Sequence, residues 1–160
     1  MTALPAYSVA MAKDLLPQLR RAAVAGSEIL IQDKRSSRQE SVSLLPTWLL
    51  DELVDVNFPL TFTVLDKPGD ALLDVRGQPS GTHEEWSLLV PELGVTGVGN
   101  TRSEAEESLL TSLVDYASDF FSDPGFYLNR NSGRRHHWGY VRRVLRCEGN
   151  TERLRALLGL

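Results

Sequence analysis

Cysteine is almost absent from this 160-residue chain, where Cys147 stands alone. One thiol makes neither an internal disulfide framework nor a thiolate-rich metal site, so a reducing cytoplasm is the expected compartment. Long apolar runs are also missing. Stretches such as Leu44–Leu45 and Trp48–Leu49–Leu50 fall far short of the roughly 20 residues that a membrane-spanning helix needs, and no membrane partner is expected. Met1 to Ala12 has no basic region followed by an apolar block, so no export signal is expected either. There is no internal repeat and no long low-complexity tract. What remains is 42% apolar and 24% charged, a globular composition that excludes a collagen-like or wholly disordered chain. The length suits one ordinary domain or two very small ones.

The net charge of −4 conceals three unlike segments. Residues 1–50 carry six basic residues against four acidic ones, residues 51–128 three against fifteen, and residues 129–160 eight against two. A basic–acidic–basic chain suggests different partners for different segments, although solvated surfaces also vary in charge.

Residues 10 to 25 predict a first helix, because Met11, Leu15, Leu19, Ala22 and Ala23 recur at three- and four-residue steps. Pro17 is awkward inside it and predicts an irregular first turn or a bend. Gly26 is a natural stop. Strands are expected at Glu28–Asp33 and Glu40–Leu45, joined by a polar hairpin loop, Lys34–Gln39, with three positive charges. Pro46 marks the start of a short apolar helix holding Trp48, Leu49, Leu50 and Leu53.

A boundary is expected between Asp55 and Pro59. Beyond it come strand candidates Leu60–Leu65, Ala71–Val75, Glu84–Val90 and Val95–Val98. They are separated by the turn compositions Lys67-Pro68-Gly69-Asp70 and Gly77-Gln78-Pro79-Ser80-Gly81. Thr101-Arg102-Ser103-Glu104 spells a capping box. The helix it opens carries Ala105, Leu109, Leu113, Tyr116 and Ala117 on one face and an acidic opposite face, ending near Ser122-Asp123-Pro124-Gly125. A polar, basic loop from Asn129 to His137 leads into a helix over Trp138–Cys147, and a final helix spans Thr151–Leu158.

No catalytic constellation emerges, and the chain reads as a binding protein rather than an enzyme. His136 and His137 are adjacent, so they diverge in a helix and face opposite sides in a strand; neither arrangement favours one metal ion. His83 stands beside Glu84 and Glu85. Cys147 has arginines nearby that would lower its pKa but no paired base, so a buried, inert thiol is favoured. Gly94-Val95-Thr96-Gly97-Val98-Gly99 superficially resembles a phosphate loop but lacks the lysine of the G-x-x-x-x-G-K pattern, and a glycine-containing strand before a capped helix explains it without a ligand. No cofactor and no metal are expected.

The basic elements are better candidates. Lys13, Arg20 and Arg21 on the first helix, with Lys34, Arg35 and Arg38 in the loop, form one positive surface if two copies pair. Such groups neutralise phosphates and release counterions. Arg134, Arg135, Arg142, Arg143 and Arg146, interleaved with Trp138, are denser and are candidate partner-binding residues. The same patch equally well grips the protein's own acidic middle.

The stretch from Tyr7 to Val54, Y-S-V-A-M-A-K-D-L-L-P-Q-L-R-R-A-A-V-A-G-S-E-I-L-I-Q-D-K…S-V-S-L-L-P, resembles the N-terminal module of Phd/YefM antitoxins. Glu85 to Tyr116 is similar to the HicB antitoxin core: Val90-Pro91-Glu92-Leu93-Gly94, Gly99-x-Thr101 and Glu104-Ala105 occupy positions of its motif, with Ser103 replacing an acidic residue and the family's second Pro-Gly reduced to Gly94. The resemblances imply an α+β protein in three pieces. Residues 1–55 would be a small Phd-like module that dimerises and binds DNA. Residues 56–125 would be a HicB-like antiparallel sheet with a helix, and residues 126–160 an Arg-rich loop with C-terminal helices. They further imply an antitoxin of a type II toxin–antitoxin system that neutralises a co-encoded toxin, of the RelE-like RNase kind, by protein binding. It would repress its own operon at operator DNA as a homodimer. An acidic segment suits a basic RNase surface. The rival is a non-DNA-binding homodimeric adaptor whose arginines pair internally.

Overall fold

The structure, a computed structural model, describes residues 6–33, 41–129 and 131–160. The chain divides into two compact units, residues 1–53 and 54–160.

In the first unit, strand β1 (Ala6–Ser8) leads directly into helix α1 (Val9–Val24), whose first turn is capped by the Ser8 hydroxyl accepting from the Met11 N–H at 3.3 Å. α1 runs continuously through the exposed Pro17. Gly26, at φ +95°, turns the chain out of the helix. Strand β2 (Ile29–Gln32) then pairs parallel with β1 and antiparallel with β3 (Ser41–Leu44). The loop expected at Lys34–Gln39 lies outside the described residues. Ala12, Leu19, Ala23 and Ile29 are the buried core of this unit, with Tyr7, Leu15, Ala22, Ile31 and Leu44 packed around it.

Helix α2 (Thr47–Asn57) spans the division between the units. It ends at Asn57, within the boundary expected between Asp55 and Pro59. The physical stop is Pro59, which has no N–H and disfavours helical geometry in the residue before it; the last helical bond is Phe58 N–H to Val54 O, 3.0 Å.

The second unit is a three-stranded antiparallel sheet in the order β4 (Thr63–Asp66), β7 (Trp86–Val90), β8 (Val95–Gly99), with α3 (Arg102–Ser122) against it. A hairpin of β5 (Ala71–Leu73) and β6 (Pro79–Thr82) is inserted between β4 and β7. β6 corrects the expectation of a turn through Gly81. Asp74 ends β5 early because its carboxylate accepts the N–H groups of Arg76 and Gln78, both at 2.8 Å, and Gly77 at φ +74° completes the reversal. Pro79 and Gly81 then lie in a two-stranded ribbon, where a proline is tolerated at an edge.

Thr101 and Glu104 form the reciprocal capping box, Thr101 Oγ1 accepting from Glu104 N–H at 3.2 Å and the Glu104 carboxylate accepting from Thr101 N–H at 3.3 Å. Asp123 separates α3 from the single turn α4 (Pro124–Tyr127). A 3-10 turn at Arg135–His137 feeds α5 (Trp138–Leu145), and α6 (Thr151–Leu158) closes the chain. Residues 126–160 thus belong to the same compact unit as the sheet. Leu88, Val90, Leu109, Leu113, Phe120, Val141 and Leu154 are all buried in one cluster.

The glycines of β8 explain themselves here. Gly97 and Gly99 share one face of the strand, two residues apart. A Cβ on Gly97 would meet the backbone of Ala105 and Leu109, and one on Gly99 the backbone of Ala105 and the side chain of Glu104. The strand lacks side chains where α3 lies on it. Gly97→Ala should therefore cost about 1–3 kcal/mol or more, since backbone must move, whereas Gly81→Ala, with nothing within 4 Å of the added carbon, should be nearly neutral in the same denaturant titration.

Candidate interaction sites

On α1, Lys13, Arg20 and Arg21 are all exposed. Lys13 and Arg20 are seven residues apart, two helical turns, so they lie on one face. A shallow hollow is lined by Leu16, Pro17, Arg20 and Arg21. On the same helix face as Lys13 and Arg20, Val9, Leu16 and Val24 are more than half exposed, as are Met11 and Val42 elsewhere on the unit. Lys34, Arg35 and Arg38 lie outside the described residues.

The C-terminal arginines do not share one fate. Arg146 grips Asp55 in a two-pronged pair, Nη1 to Oδ1 at 2.9 Å and Nη2 to Oδ2 at 3.2 Å. Arg143 Nε lies 3.1 Å from the same Oδ1, while its Nη1 donates to the Phe58 carbonyl at 2.9 Å. α5 thereby ties down the end of α2. Arg143 and Arg146, candidates either for partner binding or for gripping the protein's own acidic middle, are paired here with Asp55, and Arg143 Nε is buried without a hydrogen bond of its own. Arg142 packs over the half-buried Trp138 ring, 6.0 Å from its centroid, and the exposed Arg134 over Tyr127 at 5.8 Å. Arg135 is exposed on the 3-10 turn.

Residues that the charge pattern did not single out carry much of the remaining electrostatics. Glu106 accepts from Arg155 at 2.6 Å and from Arg102 at 3.0 Å. The bond to Arg155 holds its carboxyl below the ordinary glutamate range, against the opposing effect of burial and with help from Arg102. Only the Arg102 pair, four residues away on the same helix, was visible in sequence spacing; Asp55 and Arg155 meet partners across long stretches of chain that give no local signal.

His83 and His137 are half-buried and His136 is exposed. Tyr116 Oη and His137 Nδ1 are 2.6 Å apart. Burial pushes the His137 imidazole down, reinforced by His136 and Arg134, and pushes the Tyr116 phenol up. His83 Nε2 lies 3.3 Å from Asp66. Cys147 is buried, its thiol raised by that burial against the nearby Arg153, Arg146 and Arg143. Among the described residues no group of three His, Cys, Asp or Glu side chains is placed to hold a metal ion, and no described helix is long and apolar enough to cross a membrane.

A groove of about 570 Å³ runs between α3 and α6. Leu110, Val114 and Leu154 form its floor, and Glu107, Asp115 and Glu152 stand on its rim.

A family model described as "PHD-like: antitoxin of toxin-antitoxin, RelE / RelB, TA system" matches residues 1–158. The fold is similar to the 1.80 Å crystal structure of an antitoxin part of a proposed toxin/antitoxin system from Syntrophomonas wolfei subsp. wolfei, with a TM-score of 0.62, 13% identity, and coverage of 89% of this chain and 88% of that one. No curated protein matches the sequence.

Two measurements check the electrostatics. Asp55→Asn should lower stability by roughly 1 kcal/mol, more than a typical exposed pair because the geometry is two-pronged and shared; a chemical denaturation midpoint reports it. For Glu106, the folded-state pKa is depressed. Its contribution is therefore complete above the unfolded glutamate value and is lost as pH falls through the lower folded value. Glu106→Gln should flatten the acid limb of the stability–pH curve below about pH 5.

Proposed function

As a member of the PHD-like family, the chain belongs to the antitoxins of toxin–antitoxin systems, and we propose that it works by two binding events, one on DNA and one on its toxin. In this reading it is a type II antitoxin, active in the cytoplasm as a homodimer, that represses its own operon through the first unit and blocks a co-encoded RelE-like RNase through the second. The mechanism is binding rather than catalysis.

The observation that carries the DNA half is the composition of α1. Lys13, Arg20 and Arg21 are exposed on a unit whose buried apolar cluster is only Ala12, Leu19, Ala23 and Ile29 among the described residues, and which leaves Val9, Met11, Leu16 and Val24 in solvent. A core that small is marginal alone, and an exposed apolar set beside cations suits pairing of two copies to build a longer basic face. Lys34, Arg35 and Arg38 would extend that face. The parallel–antiparallel order β1-β2-β3 beside α1 agrees with a Phd/YefM-like module, and β4-β7-β8 with α3 agrees with a HicB-like β-β-β-α core.

The adaptor reading draws on a different observation, the internal pairing of Arg143 and Arg146 with Asp55. It predicts that α1 is equally indifferent to DNA. A gel-shift at low salt with the DNA upstream of the chain's own reading frame separates the two. Wild type should retard it, with affinity falling steeply as salt rises. The double variant Arg20→Glu, Arg21→Glu should bind at least tenfold more weakly. Absence of any retardation by the wild type would sink the repressor role.

A further inference from the structure

The turn that feeds α5 is fastened to α3 by a short hydrogen bond, Tyr116 Oη to His137 Nδ1 at 2.6 Å. A neutral imidazole accepts there from the phenol and keeps its own ring proton on Nε2. The two rings lie 5.9 Å apart, and the His136 ring stands across His137 at 4.2 Å. On either side of this contact the chain is held by uncharged groups. Before it, Ser132 Oγ donates to the Tyr127 carbonyl at 2.7 Å. After it, Gly139 is buried so close to the Phe58 ring that an added Cβ would collide with it. Gly133, at φ +67°, turns the chain from the first anchor into the segment Arg134–Trp138. That segment relies on His137 for its hydrogen bond to α3.

The surroundings of the contact oppose a positive charge. His137 follows Arg134, Arg135 and His136 on its own turn and stands at the N-terminal end of α5, the positive end of the helix dipole. α5 adds Arg142, which lies over Trp138. α4 brings the Tyr127 phenol, packed edge-on against Tyr116. α3 presents Tyr116, with Asp115 and Asp119 exposed on either side of it; neither forms an ion pair with His137. Burial, then His136 and Arg134, hold the imidazole below the ordinary histidine value. A proton on Nδ1 would reverse the hydrogen bond and leave the Tyr116 proton in want of an acceptor, on a phenol whose burial already disfavours losing it. The sign follows. Because the folded value is lowered, the tie is complete above the unfolded histidine value of about 6.5 and weakens as pH falls below it.

We propose that the Tyr116–His137 contact is an acid-sensitive latch, which pins the turn Arg134–Trp138 to α3 when the imidazole is neutral and releases that turn when it is protonated. Ser132 and Gly139 keep their places, so the opening stays between them. Beyond Gly139, the pairs of Arg143 and Arg146 with Asp55 hold the rest of α5. Arg134 and Arg135 are exposed on the released turn, so the arrangement of these two cations changes with the latch. The device stands apart from the antitoxin reading. It also acts at higher pH than Glu106, whose carboxyl is held below the ordinary glutamate range.

Hydrogen exchange of the full chain, followed by NMR and corrected for the intrinsic rate at each pH, tests the latch. The reporters are the His137 and Trp138 amides, which donate to the Arg134 and Arg135 carbonyls. Between about pH 7.5 and about pH 5.5 their protection should fall several-fold, up to about tenfold. Leu88 and Val90, buried in β7, should stay protected. His137→Asn, which keeps a hydrogen-bonding atom near the place of Nδ1 but does not titrate in this range, should abolish the pH response; His136→Asn should keep it. The His137 ring of the wild type gives a reading that needs no variant, and it should titrate below the ordinary histidine value. A ring titrating at or above that value overturns the proposal. So does unchanged protection of the two amides, an equal loss in β7, a response that survives in His137→Asn, or one that vanishes in His136→Asn.

Discussion

The approach of α3 to β8 governs the second unit. A helix can lie that close to a strand only where the strand offers no side chains, and Gly97 and Gly99 supply two such positions on one face. Everything else follows from that distance. Leu109 and Leu113 reach the sheet, Leu88 and Val90 meet them, and Phe120, Val141 and Leu154 close the cluster from the side of α5 and α6. Gly139 repeats the device on α5, where an added carbon would collide with the Phe58 ring. The capping box at Thr101 and Glu104 starts the helix that runs along those glycines.

The units solve the stability problem differently. The second closes a continuous core of sheet and helices. The first is thinly filled, built on Ala12, Leu19, Ala23 and Ile29, and its α1 carries apolar and cationic side chains outward together.

Much of this architecture was legible in the residues. The periodicity of Leu15, Leu19 and Ala23 marked α1, Thr101 to Glu104 marked α3, and the spacing of Trp138, Val141 and Val144 marked α5, because local patterns and caps encode local structure. α2 ends at Asn57, inside the expected boundary from Asp55 to Pro59, where Pro59 breaks the hydrogen-bond ladder. One element was misjudged for a physical reason. β6 was hidden because Pro79 and Gly81 spell a turn, while it was Asp74 that made the turn earlier. The electrostatic pairs were the least readable part. Asp55 and Arg146 are 91 residues apart, and no local pattern marks one carboxylate as the partner of two distant guanidiniums. Nor did the charge run reveal that Arg155 spends itself on Glu106 and leaves the neighbouring bank bare.

The knot at Asp55 has an outcome for anything approaching the C-terminal helices. Two guanidiniums share one carboxylate, so the trio keeps a residual unit of positive charge. A polyanion nearer than about 10 Å at ordinary salt still feels that surplus, but finds the fork of Arg146 already on Asp55. Such a surface draws visitors in without telling them apart, leaving discrimination to side chains elsewhere whose bonds are not yet spoken for.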